Sequence, residues 1–224
     1  MTILAIETTG QVSSVALISD DNGRVMADYS INSGLTHSQT LMPMIDQMLI
    51  STNFTLADIG VIAVSSGPGS FTGLRIGAAA AKGLAFALDL KIVPVSTLDA
   101  LAYNAIMWEG MVVPIMDARR GQVYSAIYDC HGGKINRISE YMLCDFDEIY
   151  EMACRGGSQP PIFLGDAVCI HIDKIKNKAP SALLLQKASS VGTIALESLD
   201  SAINANLFEP FYIRPSQAER EYKG

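Results

Sequence analysis

Hydrophobic periodicity changes several times along the chain. Residues 2–7 (TILAIE) are a continuous apolar run ending in a carboxylate, which predicts a buried strand. Thr8, Thr9 and Gly10 make a turn, residues 12–19 run out as a second strand, and 24–30 return as a third after the hairpin turn at 20–23. Capping residues between Ser33 and Ser38 then open a helix reaching about Ser51. Its apolar positions are Leu41, Met42, Met44, Ile45, Met48 and Leu49. They cover an arc of roughly 160°, against the ~100° that one core face requires. Pro43 is expected in the first turn or at a kink.

The apolar run 59–64 leads into SSGPGSFTGLRIG at 65–77, and a helix-forming run leaves it at 74–90. Strand 91–95 and a helix from Thr97 to about Met107 follow. Strands alternating with helices predict parallel pairing and right-handed crossovers. Gly67, Pro68, Gly69, Ser70 and Gly73 form a glycine turn between strand and helix. Such a turn can aim several N–H groups at a phosphate, a carboxylate or a partner's side chain, and it serves equally as a tight packing turn. Its spacing, G-x-G-x-x-x-G, is one residue longer than the dinucleotide fingerprint, and neither Gly-Lys-Ser/Thr nor G-x-S-x-G is present. In the helix, Gly73, Gly77, Ala81 and Ala85 recur every fourth residue, so one ridge is almost bare. Ridges at that spacing are helix-packing rows, and this one is expected to admit another helix. Arg75 and Lys82 argue against a membrane span.

The opening pattern then repeats. Residues 111–117 are an apolar run ending in a carboxylate, 118–121 a turn, 122–129 a strand, 130–133 a hairpin turn and 134–141 a third strand. At an offset of 110, Glu7 matches Asp117, Ala16 Ala126, Leu17 Ile127 and Gly23 Gly133. Two related halves are expected, residues 1–107 and 108–224. The second is looser: helix 145–153, a Gly/Pro loop at 155–161, strand 161–164, a polar break at 174–180, a last strand at 181–185 and helix 185–199. A tail from about residue 210 is expected to fold back or stay loose.

Composition sharpens this picture. Apolar residues make up 49% and charged residues 17%, and mean hydropathy is +0.26, which suits apolar surface covered by a partner. A net charge of −7 argues against a large phosphate-binding surface. Four widely spaced cysteines and three histidines, without C-x-x-C or H-E-x-x-H, make a metal site an unfavoured expectation. With no signal peptide or unbroken apolar 18-mer read, a cytoplasmic protein with free thiols is expected. His37, with Ser38 and Ser70, is the one nucleophile-and-base candidate, and it lacks an orienting third group.

Two halves of strand-strand-strand-helix-strand-helix resemble the α/β, actin-like/sugar-kinase/Hsp70 ATPase (ribonuclease H-like) superfold. Within it, ILAIETT at 3–9, THSQTLMPMID at 36–46, SSGPGSFTGLRIG, AKGLA at 81–85, VSTLDALA at 95–102, DARRGQVY at 117–124 and FYIRPSQAE at 211–219 resemble the TsaB (YeaZ) family. The resemblance implies a non-catalytic activating subunit of the machinery that makes threonylcarbamoyladenosine in tRNA. Such a subunit binds TsaD, its catalytic paralogue, with a TsaE-like ATPase joining the complex. It pairs as a homodimer when alone and meets tRNA only through the complex, with no membrane involved.

Mapped onto this chain, the resemblance implies partner binding by Leu41, Met44, Ile45, Met48, Phe71, Leu74, Arg75, Gly77, Ala78, Ala81 and Lys82. Glu7, Thr8, Asp117, Arg119 and Arg120 would line a vestigial cleft without a cofactor, binding nucleotide weakly at most. Residues 95–101 lack the H-x-x-x-H metal pair of the catalytic paralogue, and Gly192 alone stands where an adenosine motif is expected. Internal ion pairing of the cleft carboxylates with Arg119 or Arg120 is an equal alternative to ligand binding. The competing function is an independent enzyme, either a glycoprotease-like peptidase or a weak ATPase.

Overall fold

The computed structural model describes residues 1–155 and 159–214. Expectations for 156–158 and for the tail beyond Arg214 lie outside these residues. The chain forms two compact units. The first begins with β1 (Thr2–Glu7), β2 (Ser13–Ser19), β3 (Val25–Ile31), α1 (His37–Thr52), β4 (Ile59–Gly67), α2 (Phe71–Leu88) and β5 (Lys91–Ser96). Helix α3 (Thr97–Tyr103) crosses the boundary at Ala100 and stops short of the expected Met107.

The second unit holds β6 (Gly110–Asp117), β7 (Gln122–Ser125), β8 (Tyr128–His131), β9 (Lys134–Arg137), β10 (Met142–Asp145), α4 (Phe146–Arg155), β11 (Ile162–Leu164) and β12 (Asn177–Lys178). The chain then returns to the first unit with α5 (Ala188–Glu197) and β13 (Ile203–Asn204).

In the first unit β1 is central, antiparallel to β2 and parallel to β4, and the sheet order is β13-β5-β4-β1-β2-β3. All six residues of β1 are buried because both sheet faces are covered, which is why the strand reads as a continuous apolar run. Leu4 and Ile6 face α1 and α2, while Ile3 and Ala5 face α5. Gln39 opens α1 by accepting from the Thr36 N–H at 3.3 Å and hydroxyl at 3.0 Å, and Asn53 closes it in the left-handed region. The helix runs through Pro43, past its first turn; the bond forfeited there lies where Gln39 and Pro43 are both exposed. Met48 of α1 is fully buried. Met48→Ala should therefore cost roughly 2–5 kcal/mol, read as a lower urea midpoint.

The second unit repeats the plan. Parallel β11 and β12 lie on one side of β6 and antiparallel β7 and β8 on the other. Ile115 stands opposite Ser125 and Val112 opposite Tyr128, so β7 and β8 are one strand in one register. It is interrupted where it passes Pro114, which has no N–H to give. Strands β9 and β10 likewise continue each other, joined where the Ile138 N–H donates to the Ile127 carbonyl at 2.9 Å. Both units thus have the strand order third-second-first-fourth-fifth, and the fold class is the actin-like α/β one. One detail of the repeat shifts. Glu7 faces Ser14 but Asp117 faces Val123, so the second hairpin turn is one residue shorter and the offset of 110 holds only as far as Asp117.

Three boundaries are corrected. Residues 181–185 hold a 3-10 turn (Ser181–Leu183) rather than a strand, whereas the polar stretch before it supplies β12. A sheet-edge pairing is made by backbone groups and needs no apolar side chains. Helix α5 is shorter than expected. With residues 186–210 it belongs to the first unit, because Ala188, Val191 and Ala195 cover the sheet face carrying Ile3, Ile18 and Val93. Gly192 serves this packing: a Cβ there would fall 2.4 Å from Ile18 Cγ1.

Candidate functional site

The glycine turn and the turn after β1 are interlocked. Ser70 donates its N–H to the Thr9 carbonyl at 2.7 Å, and the Thr8 hydroxyl donates to the Gly73 carbonyl at 2.8 Å. A Cβ on Gly69 would lie 2.5 Å from the Thr9 oxygen, on Gly73 2.0 Å from the Thr8 oxygen, and on Gly77 2.4 Å from Thr8 Oγ1. The turn leaves β4 through Gly67, whose φ of 119° only glycine adopts readily. At the N-terminus of α2, Ser70 Oγ accepts the Gly73 N–H at 3.3 Å. Of the two readings the turn allowed, a binding loop or a tight packing turn, these contacts favour the packing one.

The bare ridge of α2 is corrected for the same reason. Gly73, Gly77, Ala81 and Ala85 are buried within their own unit, Gly73 and Gly77 against Thr8 and Ala81 and Ala85 in the core shared with α1 and the sheet, rather than left open to a partner's helix. Of the residues expected to bind a partner, Leu41, Met44, Ile45, Met48, Leu74, Gly77, Ala78 and Ala81 belong to the unit's own interior. Lys82 is half-buried and donates to the Phe208 carbonyl at 2.9 Å. Phe71 and Arg75 are exposed, the guanidinium 3.9 Å above the ring.

The same two helices carry a different apolar surface. Phe86 is 87% exposed, Ile50 65% and Met42 47%. Met42 and Ile50 line a groove of about 310 Å³ between α1 and α2, with Ile45, Leu49, Phe54, Leu56 and Leu84 also in its walls and Asp46 as its acidic member; Phe86 stands on the exposed face of α2, outside this lining. The over-wide arc on α1 was the sequence signal for Met42; Ile50 and Phe86 fell outside the pattern considered.

Glu7 ends β1 with no exposed surface. Its carboxylate accepts the Thr9 N–H and hydroxyl, each at 2.5 Å, and the Ser65 hydroxyl. Burial nonetheless outweighs these donors and raises its pKa above the usual carboxylate value. The native state therefore holds this proton to higher pH than the unfolded chain. The stability linked to it is complete below about pH 4.5 and falls as pH rises through the native value, by up to ~1.4 kcal/mol per unit. Glu7→Gln should remove that slope, which urea titrations across pH 4–8 would show.

Asp117 lies in the second unit and Glu7 in the first. Its N–H donates to Asp166 Oδ1 at 2.9 Å, while its own carboxylate accepts the Arg119 N–H at 2.8 Å and stands 3.3 Å from the Arg119 guanidinium. Burial raises the pKa of Asp166. Of the two alternatives for the arginines, Arg119 makes the internal ion pair, with Asp117, and among the described residues Arg120 makes none. The peptidase constellation is not assembled. His37 Nε2 lies 2.9 Å from the Gly10 carbonyl, Ser38 Oγ 3.1 Å from Thr36 Oγ1, and Ser70 caps α2.

Comparison with known proteins agrees with this architecture. The chain is 33% identical to the tRNA threonylcarbamoyladenosine biosynthesis protein TsaB of Bacillus subtilis, over 99% of this chain and 98% of that one. The chain belongs to the TsaB family. The TsaB protein of Escherichia coli is 42% identical over 57% of this chain and 55% of its own length. Among solved structures, YeaZ from Pseudomonas aeruginosa matches at TM-score 0.81 and 25% identity, covering 95% of this chain and 99% of that one. The family model described as TsaD: tRNA N6-adenosine threonylcarbamoyltransferase matches residues 32–222. TsaB-family membership connects this chain to biosynthesis of threonylcarbamoyladenosine in tRNA.

Proposed function

We propose that this chain is an activating subunit, without a complete active site of its own, of the complex that places threonylcarbamoyl on the adenosine next to the anticodon. It acts by docking onto a TsaD-like catalytic paralogue, and a TsaE-like ATPase joins them. The observation that carries the reading is the open groove between α1 and α2 with the exposed Met42 and Ile50 in its lining, together with the exposed Phe86 on α2. Exposed large apolar side chains on two adjacent helices, two of them lining a groove, suit a protein interface. The match to a TsaD-type family model supports a relative of similar shape as the occupant. Two related helix pairs can pack face to face as two copies of one chain would, which also supports a homodimer when the paralogue is absent.

No cofactor is assigned to this chain, and the protein is expected in the cytoplasm beside its tRNA substrate. Helix α2 has the length and hydropathy of a membrane span, but its face from Gly73 to Ala85 packs as a core helix does. The competing reading, an independent ATPase or peptidase, predicts turnover by the purified chain alone. Mixing the chain with its TsaD-like paralogue, and measuring complex mass and tRNA modification, separates the two. A complex that modifies tRNA only when both are present supports the subunit; ATP or peptide hydrolysis without the paralogue overturns it.

A further inference from the structure

In the second unit, the turn between β6 and β7 places three successive residues in the left-handed region: Arg119 (φ 65°), Arg120 (φ 59°) and Gly121 (φ 78°). Glycine or asparagine adopts this conformation with less strain than arginine. The fold draws little on the two guanidinium groups. The Arg119 side chain is 86% exposed, with Asp117 as its partner, and the exposed Arg120 side chain makes no hydrogen bond or ion pair among the described residues.

The turn is nevertheless held firmly. Ala118 donates its N–H to the Gln122 carbonyl at 2.9 Å, and Gln122 returns its N–H to the Arg119 carbonyl at 3.2 Å. Arg214 then clamps the base, donating to the Ala118 carbonyl at 2.5 Å and to Gln122 Oε1. A costly backbone conformation, pinned from below and bearing in Arg120 a cation that the described residues do not pair, indicates a function outside the unit.

The segment that supplies the clamp also carries aromatic rings. Phe211 and Tyr212 are 44% and 37% exposed. The Phe211 ring lies 6.0 Å from Tyr141, over which the Arg137 guanidinium sits at 4.1 Å. Exposed arginine and exposed rings in one unit are the groups that single-stranded nucleic acid takes, its phosphates meeting guanidinium groups and its unstacked bases aromatic faces. Of these arginines Arg137 is already held by the Ser139 carbonyl and Glu140, which leaves Arg120. An acidic protein would use the cations and leave the rings idle. The chain's net charge of −7 shows that these exposed groups are not a sample of a generally basic surface.

Resting on the reading of this chain as a tRNA-modification subunit, we propose that the turn at 119–121 and the segment 211–214 contact the tRNA itself. Arg120 takes a backbone phosphate, and Phe211 stacks on an unpaired base.

The test titrates fluorescent unmodified tRNA with the complex of full-length chain and TsaD-like paralogue, for wild type, Arg120→Ala and Phe211→Ala. Arg120→Ala is expected to weaken binding about 3- to 10-fold and to flatten the dependence of log affinity on log salt by about one unit, with complex mass unchanged. Phe211→Ala is expected to weaken binding without changing that slope. Unchanged affinity and slope in both variants, with the complex intact, overturn the proposal. So does loss of the complex itself in Arg120→Ala, which would make the turn a protein contact. Should the wild-type chain form no complex, the subunit reading fails, and the same titration on the chain alone still decides the tRNA surface.

Discussion

Phe86→Asp should leave the chain folded and stop it from retaining its TsaD-like paralogue. The Phe86 side chain is 87% exposed, so the isolated protein loses almost no packing when the ring is removed. At an interface the balance reverses. An aromatic ring buried against a partner commonly contributes at least 2 kcal/mol, and an unpaired carboxylate in the same place adds a desolvation cost. An affinity loss of about 100-fold or more is expected, read by size-exclusion chromatography with light scattering, with tRNA modification in the reconstituted assay falling in step. Ile50→Asp, on the neighbouring helix, should act the same way. A Phe86→Asp chain that co-elutes with the paralogue as wild type does would sink the proposed docking surface. The same columns run on the chain alone test the homodimer.

Gly73→Ala should have the opposite signature: damage to the fold, with any loss of partner a consequence. A Cβ at this position would lie 2.0 Å from the Thr8 carbonyl oxygen, which is backbone and cannot swing aside. Either the turn after β1 or the first turn of α2 must move. Movement there breaks the bond from the Thr8 hydroxyl to the Gly73 carbonyl and the one from Ser70 to Thr9. A cost of roughly 2–4 kcal/mol is expected, lowering the melting temperature by about 4–16 °C. A Gly73→Ala protein that melts like wild type but fails to bind the paralogue would show that the glycine turn faces a partner after all.

The two helices, the glycine turn and the repeated three-strand opening were legible in the sequence because each has a local cause. Continuous apolar runs mark strands covered on both faces, capping residues mark helix starts, and glycines mark close backbone approach. Which way the bare ridge of α2 points was not legible. Periodicity places Gly73, Gly77 and Ala81 on one stripe, but a stripe of small residues fits a neighbouring sheet as well as a neighbouring helix. The deciding neighbour, Thr8, lies 65 positions away from Gly73. The identity of the exposed face was hidden for the same reason. Phe86 and Ile50 stand outside the buried stripe, and an apolar residue outside a stripe carries no mark separating a docking surface from an isolated exposed side chain. The assignment of α5 to the first unit was equally beyond reach, since it rests on contacts with β1 and β2 made only after the chain has returned from the second unit.

That return has a consequence for synthesis. Domains generally fold as they leave the ribosome, N-terminal first. Here the sheet built from the first hundred residues exposes Ile3, Ala5, Ile18 and Val93 until α5 arrives. A nascent chain must therefore carry a naked greasy plane through translation of the entire intervening unit, a natural target for trigger-type chaperones and the interval in which a stalled or truncated product would aggregate.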